Sequence, residues 1–229
     1  MTAELLINMT PSESRVALVE NGILQEIHIE RHTKKGIVGN IYKGKVSRVL
    51  PGMQAAFVDI GLDRAAFLHA SDIAIHKELI DEVNPSQIEI EDIGALVKEG
   101  QSIIVQVVKD PIGTKGARLT TDITLPSRYL VFMPSVSYVS ISQKIEDEEE
   151  RQRLKALVEE FCDEKGGFIL RTAAEGVSET ELLQDAAFLR RLWEKVNSRK
   201  NRENRRNSTK TNILYEDLSV ARRVLRDFV

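Results

Sequence analysis

Between Gly39 and Thr121, short apolar strand patterns alternate with turn residues at a spacing that few folds accommodate. Turns are indicated at 51–52, 61–63 and 111–113, where proline, glycine or aspartate interrupts the apolar runs. The strands predicted around these turns are 41–49, 54–60, 64–68, 103–109 and 117–121. Five short strands with regular turns predict a small closed barrel. The acidic stretch 74–100 falls between the third and fourth strands and is interpreted as an insertion.

The opening segment predicts three further strands, since apolar residues alternate over 5–8, 16–20 and 23–30. Asn21-Gly22 separates the last two runs, and this pair supplies the positive φ angles of a type I′ hairpin turn. Three short strands cannot bury a face by themselves. We therefore expect the opening segment to find its partners beyond the barrel.

After Thr121 the pattern predicts helices mixed with strands. Ser178 and Glu181 form a capping box that opens a helix running to about Ser198. The last helix begins near Asp217 and reaches the final residues without a terminating glycine, asparagine or proline, so we expect the sequence to stop in mid-element. The remaining predicted elements are strands 129–133, 138–142, 168–172 and 212–215 and helix 146–164.

Composition and the start of the chain argue against a membrane-spanning or secreted protein. The chain is 42% hydrophobic, yet no stretch approaches the roughly 18 apolar residues of a membrane helix. Its start lacks a secretory signal and Cys162 is the single cysteine, which predicts a cytoplasmic protein. Although the net charge is only −3, residues 74–100 are predominantly acidic and residues 190–210 are predominantly basic. The basic segment would attract phosphate, although a solvated helix end is the simpler interpretation.

Strand alternation predicts which side chains of the barrel face solvent. Folding 54–60 against 64–68 places Phe57 opposite Phe67 and Ala55 opposite His69. The other face is uniformly apolar and is the better candidate for the interior; it carries Ala56, Val58, Ile60, Ala66 and Leu68. Two outward phenylalanines suit single-stranded nucleic acid, because bases stack on exposed rings. The alternative is that these rings are ordinary core.

Several runs resemble one family. They are 36–46 (GIVGNIYKGKV), 49–61 (VLPGMQAAFVDIG), 66–69 (AFLH), 114–121 (TKGARLTT) and 171–173 (RTA). The first four resemble the S1-type RNA-binding domain of the RNase E/G family, and the short opening favours the RNase G branch. The resemblance covers essentially the whole chain. It implies an α+β fold in which an S1-type five-stranded OB barrel is inserted in a partial RNase H-like subdomain and followed by an α+β 5′-sensor region.

The resemblance also implies boundaries and sites. The RNase H-like subdomain is expected over 1–36 and 212–229, the barrel over 37–121 and the 5′-sensor region over 122–211. The RNA contacts that the resemblance implies are Phe57, Phe67, Lys115 and Lys109. Independently of the resemblance, the strands beside the two rings add Lys43, Lys45 and Arg48, whose charges could meet the phosphates. The contacts to a 5′-phosphate are expected from Arg171, Thr172, Val131 and Lys144. Without the resemblance, Arg-Thr at a strand end indicates only an exposed charge beside a β-former.

Members of this family cut RNA with paired aspartates that hold Mg²⁺, and they dimerise through a shared Zn²⁺. The resemblance places both sites beyond Val229, so no catalytic or metal-binding residue is expected in this chain. The expected parent is a homodimeric, single-strand-specific endoribonuclease that acts in rRNA maturation and mRNA decay. It is expected to prefer 5′-monophosphorylated RNA. Neither DNA nor a membrane is an expected partner. The alternatives are a self-contained RNA-binding regulator and an assembly role in which the barrel contacts protein.

Overall fold

The first and last segments of the chain fold together. The computed structural model describes residues 2–73, 92–162, 166–205 and 212–228. Two compact units result, one from residues 1–37 and 217–229 and the other from residues 38–216. Most of the acidic insertion predicted at 74–100, and the end of the basic segment at 190–210, lie outside the described residues.

The first unit is an antiparallel sheet with one helix packed on it. Its strands, in the order β1-β2-β3, are β1 (Ala3–Met9), β2 (Glu13–Glu20) and β3 (Ile23–Arg31). Asn21 and Gly22 have φ values of 49° and 78°, as the hairpin prediction requires. Helix α4 (Val220–Phe228) covers Val16 with Val220, Ala221 and Val224. The opposite face of the sheet exposes Leu6, Leu24, Ile27 and Ile29, each by more than half.

The second unit contains the predicted closed barrel of five strands. They are β4 (Ile41–Leu50), β5 (Ala55–Asp59), β6 (Ala66–His69), β7 (Ser102–Lys109) and β8 (Arg118–Thr120). The sheet runs β4-β5-β6-β8-β7 and closes through pairing of β7 with β4. A short helix, α1 (Ile93–Leu96), precedes β7 and buries Ile93 completely. Alternation therefore predicted this fold correctly, because each strand has one face in the barrel interior.

One strand departs from its expected partner. We expected the strand near Asn212 to join the opening segment, but β13 (Asn212–Tyr215) pairs antiparallel with Ile41–Lys43 at the start of β4. Its Leu214 is buried in the same core as Ile41. The apolar contact with β4 thus places β13 in the second unit, and α4 provides the cover of the opening sheet.

A second sheet follows the barrel in the chain. It has the order β11-β12-β10-β9, and its strands are β9 (Leu125–Pro126), β10 (Leu130–Met133), β11 (Val139–Ile141) and β12 (Gly167–Leu170). Helix α2 (Glu148–Phe161) is capped by Asp147, and helix α3 (Glu179–Arg205) extends beyond the predicted end. The capping box is confirmed, since Ser178 and Glu181 exchange backbone-to-side-chain hydrogen bonds.

Gly116 is required where β8 begins, because a Cβ there would lie 2.0 Å from the carbonyl oxygen of Ala65. Gly116→Ala is therefore expected to lower the free energy of unfolding by about 1–3 kcal/mol. Urea unfolding of the purified chain would measure this loss. Gly52→Ala is the control, since nothing lies within 4 Å of its Cβ. Equal midpoints for both variants would contradict the close approach.

Candidate nucleic-acid interface

Phe57 and Phe67 stand on the outer face of the barrel. The register pairs Phe57 with Phe67 and Ala55 with His69, as alternation predicted. The interior face is sealed, since Ala56, Val58, Ile60, Ala66 and Leu68 are all at most 2% exposed. Both phenylalanines are half-buried, while Ala55 is the exception on the outer face and is fully buried. The prediction of outward rings is therefore confirmed.

The aromatic rings lie in contact along this face. The Phe57 and Phe67 ring centroids are 6.2 Å apart at an interplanar angle of 69°, an edge-to-face arrangement. The His69 ring lies 6.4 Å from that of Phe67. Its Nδ1 accepts a hydrogen bond from the Ser71 backbone N–H at 3.2 Å. The result is a continuous aromatic surface on which unpaired bases could stack.

Cations extend this surface across the sheet. Arg48 pairs with Phe57, Phe67 pairs with Arg118, and Lys109 pairs with Arg118 on the following strand. We call Arg48, Phe57, Phe67, Arg118 and Lys109 the cation–aromatic row. All three cations are exposed. The row combines stacking rings with positive charge, which is the chemistry that a single strand of nucleic acid requires.

Two β-bulges create the row. The β4 register shifts between Val46 and Arg48, so Ser47 is the extra residue, and its Oγ donates to the Phe57 carbonyl at 3.1 Å. The β7 register shifts in the same way between Val107 and Lys109. Counted from the inward-facing Val46 and Val107, strict alternation would turn Arg48 and Lys109 inward as well. Each bulge adds one residue and so returns its cation to the outer face.

Arg118 is fixed beside Phe67 by an ion pair. Its Nε and Nη2 donate to the Asp72 carboxylate at 2.9 and 3.1 Å. Hydrogen bonding to Asp72, reinforced by its charge, raises the pKa of Arg118. The bidentate geometry holds the guanidinium in one orientation. Sequence analysis did not single out Arg118 or Asp72, since their pairing joins segments distant in the chain.

The predicted lysines occupy different environments. Lys45 is exposed opposite Asp59, and Lys109 is exposed within the row. Lys43 is only 7% exposed, which contradicts the expectation that it faces the phosphates. The cause is that the start of β4 is covered on its outer side, where neighbouring Ile41 is fully buried in the core beneath the second sheet.

Lys115 lies on the turn between β7 and β8. Ile112 and Lys115 exchange backbone hydrogen bonds of 3.2 and 3.0 Å, and the Lys115 side chain is exposed. The Arg64 guanidinium donates to the Gly113 carbonyl and so ties this turn to the one between β5 and β6. The structure thereby presents Lys115 at the end of the barrel strands rather than within the cation–aromatic row.

The predicted 5′-phosphate residues gather at the end of β12. Arg171 and Thr172 follow the strand directly, and Thr172 begins a 3₁₀ turn, so the predicted strand was two residues too long. Thr172 Oγ1 lies 3.2 Å from Ser142 Oγ, which accepts from the Lys144 backbone N–H at 3.3 Å. We call Arg171, Thr172, Ser142 and Lys144 the strand-end cluster. Val131 is half-buried and pairs with Ile169 on the same sheet.

Backbone carbonyls orient the Arg171 side chain. Its Nη1 donates to the carbonyls of Ser127 and Arg128 at 2.5 and 3.3 Å. Its backbone N–H donates to the Tyr129 carbonyl at 2.8 Å. These hydrogen bonds hold the guanidinium in a fixed orientation. The position of Arg171 therefore depends on the turn that carries these three carbonyls, and sequence analysis did not identify that turn.

A salt bridge secures the segment after Thr172. Both oxygens of Glu150 accept from Arg153 at 2.7 Å, and Oε1 also accepts from the Gly176 N–H at 2.8 Å. Arg153 donates in turn to the Val177 carbonyl at 3.1 Å. The Arg153 hydrogen bonds, with a smaller contribution from Gly176, lower the pKa of Glu150 to about 2. Helix α2 is thereby joined to the chain beside the strand-end cluster.

The Glu150 interaction predicts a pH dependence of stability. Because its folded pKa lies below the ordinary value of 4.5, its contribution is complete above pH 4.5 and is lost as the pH falls towards 2. Glu150→Gln is expected to lower the free energy of unfolding by about 1–2 kcal/mol at pH 7, and by less near pH 3. Urea unfolding at both pH values measures this difference. A loss independent of pH would contradict the assignment.

The described residues offer neither a metal site nor a membrane-spanning helix. Over the described residues, no group of three or more histidine, cysteine, aspartate or glutamate side chains could hold a metal ion. Cys162 forms no disulfide and is half-buried. Among the helices in the described ranges, none combines the length and apolar character needed to cross a bilayer.

A closed five-stranded barrel with exposed rings and cations on one outer face defines a barrel of the kind that binds single-stranded nucleic acid. Comparison with known families supports this class, since the S1 RNA binding domain model matches residues 35–121. The Ribonuclease E/G family model matches residues 124–229. The chain belongs to the ribonuclease E/G family, as the resemblance predicted.

Individual relatives agree with this assignment. Ribonuclease G of Escherichia coli K12 is 66% identical over 228 residues, which cover 100% of this chain and 46% of that protein. Ribonuclease G of Haemophilus influenzae is 65% identical over 99% of this chain and 45% of its own length. Ribonuclease E of Haemophilus influenzae is 37% identical over 98% of this chain and 23% of its length. The chain thus spans about half the length of the ribonuclease G relatives.

Proposed function

We propose that this chain is the N-terminal RNA-binding and 5′-monophosphate-sensing part of a ribonuclease G-type protein. The parent would be a single-strand-specific endoribonuclease of rRNA maturation and mRNA decay. The observation that carries the proposal is the outward pair Phe57 and Phe67, placed in register with Arg48 and Arg118. Rings between cations suit a strand whose bases are unpaired, because paired bases cannot leave their stack to lie on them.

The strand-end cluster supports the second half of the proposal. Arg171 supplies a fork of N–H donors, and Thr172 supplies a hydroxyl beside it. Lys144 is exposed, and its backbone is tied to Thr172 through Ser142. A terminal phosphate monoester carries more charge than an internal phosphodiester, so such a cluster would favour RNA that begins with a monophosphate. The half-buried Val131 would contribute backbone contacts from the adjoining strand.

Cleavage would belong to the rest of the parent protein in this proposal. The chain spans about half of its ribonuclease G relatives. We infer that the remainder supplies the aspartates, the Mg²⁺ and the Zn²⁺-linked homodimer interface. It would also cover the apolar face of the opening sheet, whose Ile27 and Ile29 are more than half exposed. This chain alone would bind RNA without cutting it.

One titration tests the proposal. A 3′-fluorescein RNA of about 12 nucleotides, single-stranded or annealed to its complement, is added to the chain at several salt concentrations and followed by anisotropy. We expect tighter binding of the single strand, weakening steeply with salt, and a further gain when the 5′ end carries a monophosphate. The same RNA incubated with Mg²⁺ should remain intact on a gel. Absence of salt-dependent binding would favour the assembly role and contradict the proposal.

A further inference from the structure

The turn at residues 127–130, which orients Arg171, is held by a carboxylate from helix α3. Asp185 Oδ2 accepts from the backbone N–H groups of Tyr129 and Leu130 at 3.0 and 3.1 Å. The same oxygen lies 2.6 Å from Ser127 Oγ. Two backbone N–H groups converge on one carboxylate oxygen together with the Ser127 hydroxyl, which also lies 2.8 Å from the Leu130 carbonyl oxygen. These contacts fix the course of the turn, because charged hydrogen bonds of this kind are short and strong.

Arg171 and Asp185 both form hydrogen bonds with the turn at residues 127–130. The carbonyls of Ser127 and Arg128 receive the Arg171 guanidinium, and the Tyr129 carbonyl receives its backbone N–H. The backbone N–H groups of Tyr129 and Leu130 thus donate to Asp185, whereas three carbonyls of the same turn accept from Arg171. We infer that Asp185 is a positioning residue for Arg171, and through it for the terminal phosphate of RNA. This inference rests on the proposed 5′-phosphate site.

The first turn of α3 adds a second support to this turn. The Tyr129 hydroxyl donates to Glu181 Oε1 at 3.4 Å, and the Arg128 guanidinium lies over the Tyr129 ring at 5.3 Å from its centroid. Hydrogen bonds from Ser178, followed by a weaker one from Tyr129, lower the pKa of Glu181. Glu181 is exposed and already caps the helix, so its hold on the turn is weaker than that of Asp185.

Helix packing makes Asp185 a rigid anchor. It lies between Leu182 and Leu189 along the buried face of α3, and neighbouring Ala186 is 2% exposed. These side chains belong to the core of the second sheet. The Asp185 carboxylate therefore keeps its position when no ligand is bound, and it holds the turn at residues 127–130 in one conformation. A site so supported binds its ligand without first being ordered.

Three variants of the whole chain separate positioning from folding. Asp185→Ala removes the acceptor, Asp185→Asn keeps an oxygen that can accept the two N–H bonds, and Asp92→Ala removes a comparable carboxylate that caps α1 in the barrel. The readout is the ratio of affinities for the same RNA carrying a 5′-monophosphate or a 5′-hydroxyl. Amide hydrogen exchange at Arg171 and Leu130 is measured on the free chain as a second readout.

We expect Asp185→Ala to lower the ratio by at least about fivefold while affinity for the 5′-hydroxyl RNA is kept. Exchange at Arg171 should accelerate in the same variant. Asp185→Asn should retain most of the ratio, and Asp92→Ala should leave it unchanged. An unaltered ratio in Asp185→Ala would overturn the inference and leave the proposed function intact. A wild-type ratio of one would remove the 5′-phosphate site itself, and this role with it.

Discussion

Replacing Phe57 and Phe67 together by alanine is expected to weaken single-stranded RNA binding about 10²–10³-fold, because each stacked base contributes roughly 1–3 kcal/mol. Each single replacement should cost about 10-fold or more for the same reason. The effect arises from lost stacking area, since the cations Arg48 and Arg118 remain. The salt dependence of binding should therefore be nearly unchanged while the affinity falls. Anisotropy titrations over a range of salt measure both quantities.

The control for this prediction is another exposed phenylalanine. Phe188 on α3 is 50% exposed and lies outside the cation–aromatic row, so Phe188→Ala should bind RNA as the unaltered chain does. The two barrel rings also contact each other, and their removal costs some stability, about 0.5–1.5 kcal/mol for the pair interaction. Circular dichroism should confirm that each variant is folded at the titration temperature. Unchanged affinity in the folded double variant would end the stacking proposal.

Arg171→Ala is expected to abolish the preference for a 5′-monophosphate. Charged hydrogen bonds contribute roughly 1.5–3 kcal/mol each, so the loss of one or two predicts a 10- to 100-fold decrease in affinity for monophosphorylated RNA. Affinity for RNA with a 5′-hydroxyl should change little, because the barrel surface is intact. Arg171→Lys should recover only part of the preference, since an ammonium cannot form the fork of a guanidinium.

A basic residue elsewhere on the same unit serves as the control. Arg191 on α3 is exposed, so Arg191→Ala tests whether removal of any positive charge has the same result. The titrations use paired RNAs that differ only at the 5′ end. An equal decrease for both ends in Arg171→Ala would show that this side chain contributes general charge rather than end recognition.

Alternation along the strands was sufficient to predict the barrel and its outward rings. The pairing of Phe57 with Phe67 depends on one turn and on a period of two, and both can be read locally. The bulges at Ser47 and Val108 could not be predicted in this way. A bulge is defined by the count of residues on the partner strand, so the sequence could name Arg48 as a cation beside the rings, but only the three-dimensional pairing explains how it shares the outer face with Lys45.

Other features depended on contacts between distant segments. The sequence predicted that Lys43 faces outward, but the core around Ile41 covers that end of β4. Asp185 carried a local signal, a carboxylate on the buried face of a helix, but its partners lie more than 50 positions earlier in the chain. Arg171 and Thr172 were singled out only through the family resemblance. Their recognition of RNA remains a prediction.

The two bulges also mean that the polarity of the barrel surface depends on residue number as much as on residue type. If Ser47 or Val108 were paired as a regular strand residue, the cation that follows it would turn from water into hydrocarbon, where an unpaired charge is strongly disfavoured. Deleting either extra residue would instead remove the bulge and leave the cation opposite its present partner. The outer face therefore tolerates the loss of an extra residue better than a register slip that draws this residue into the ladder.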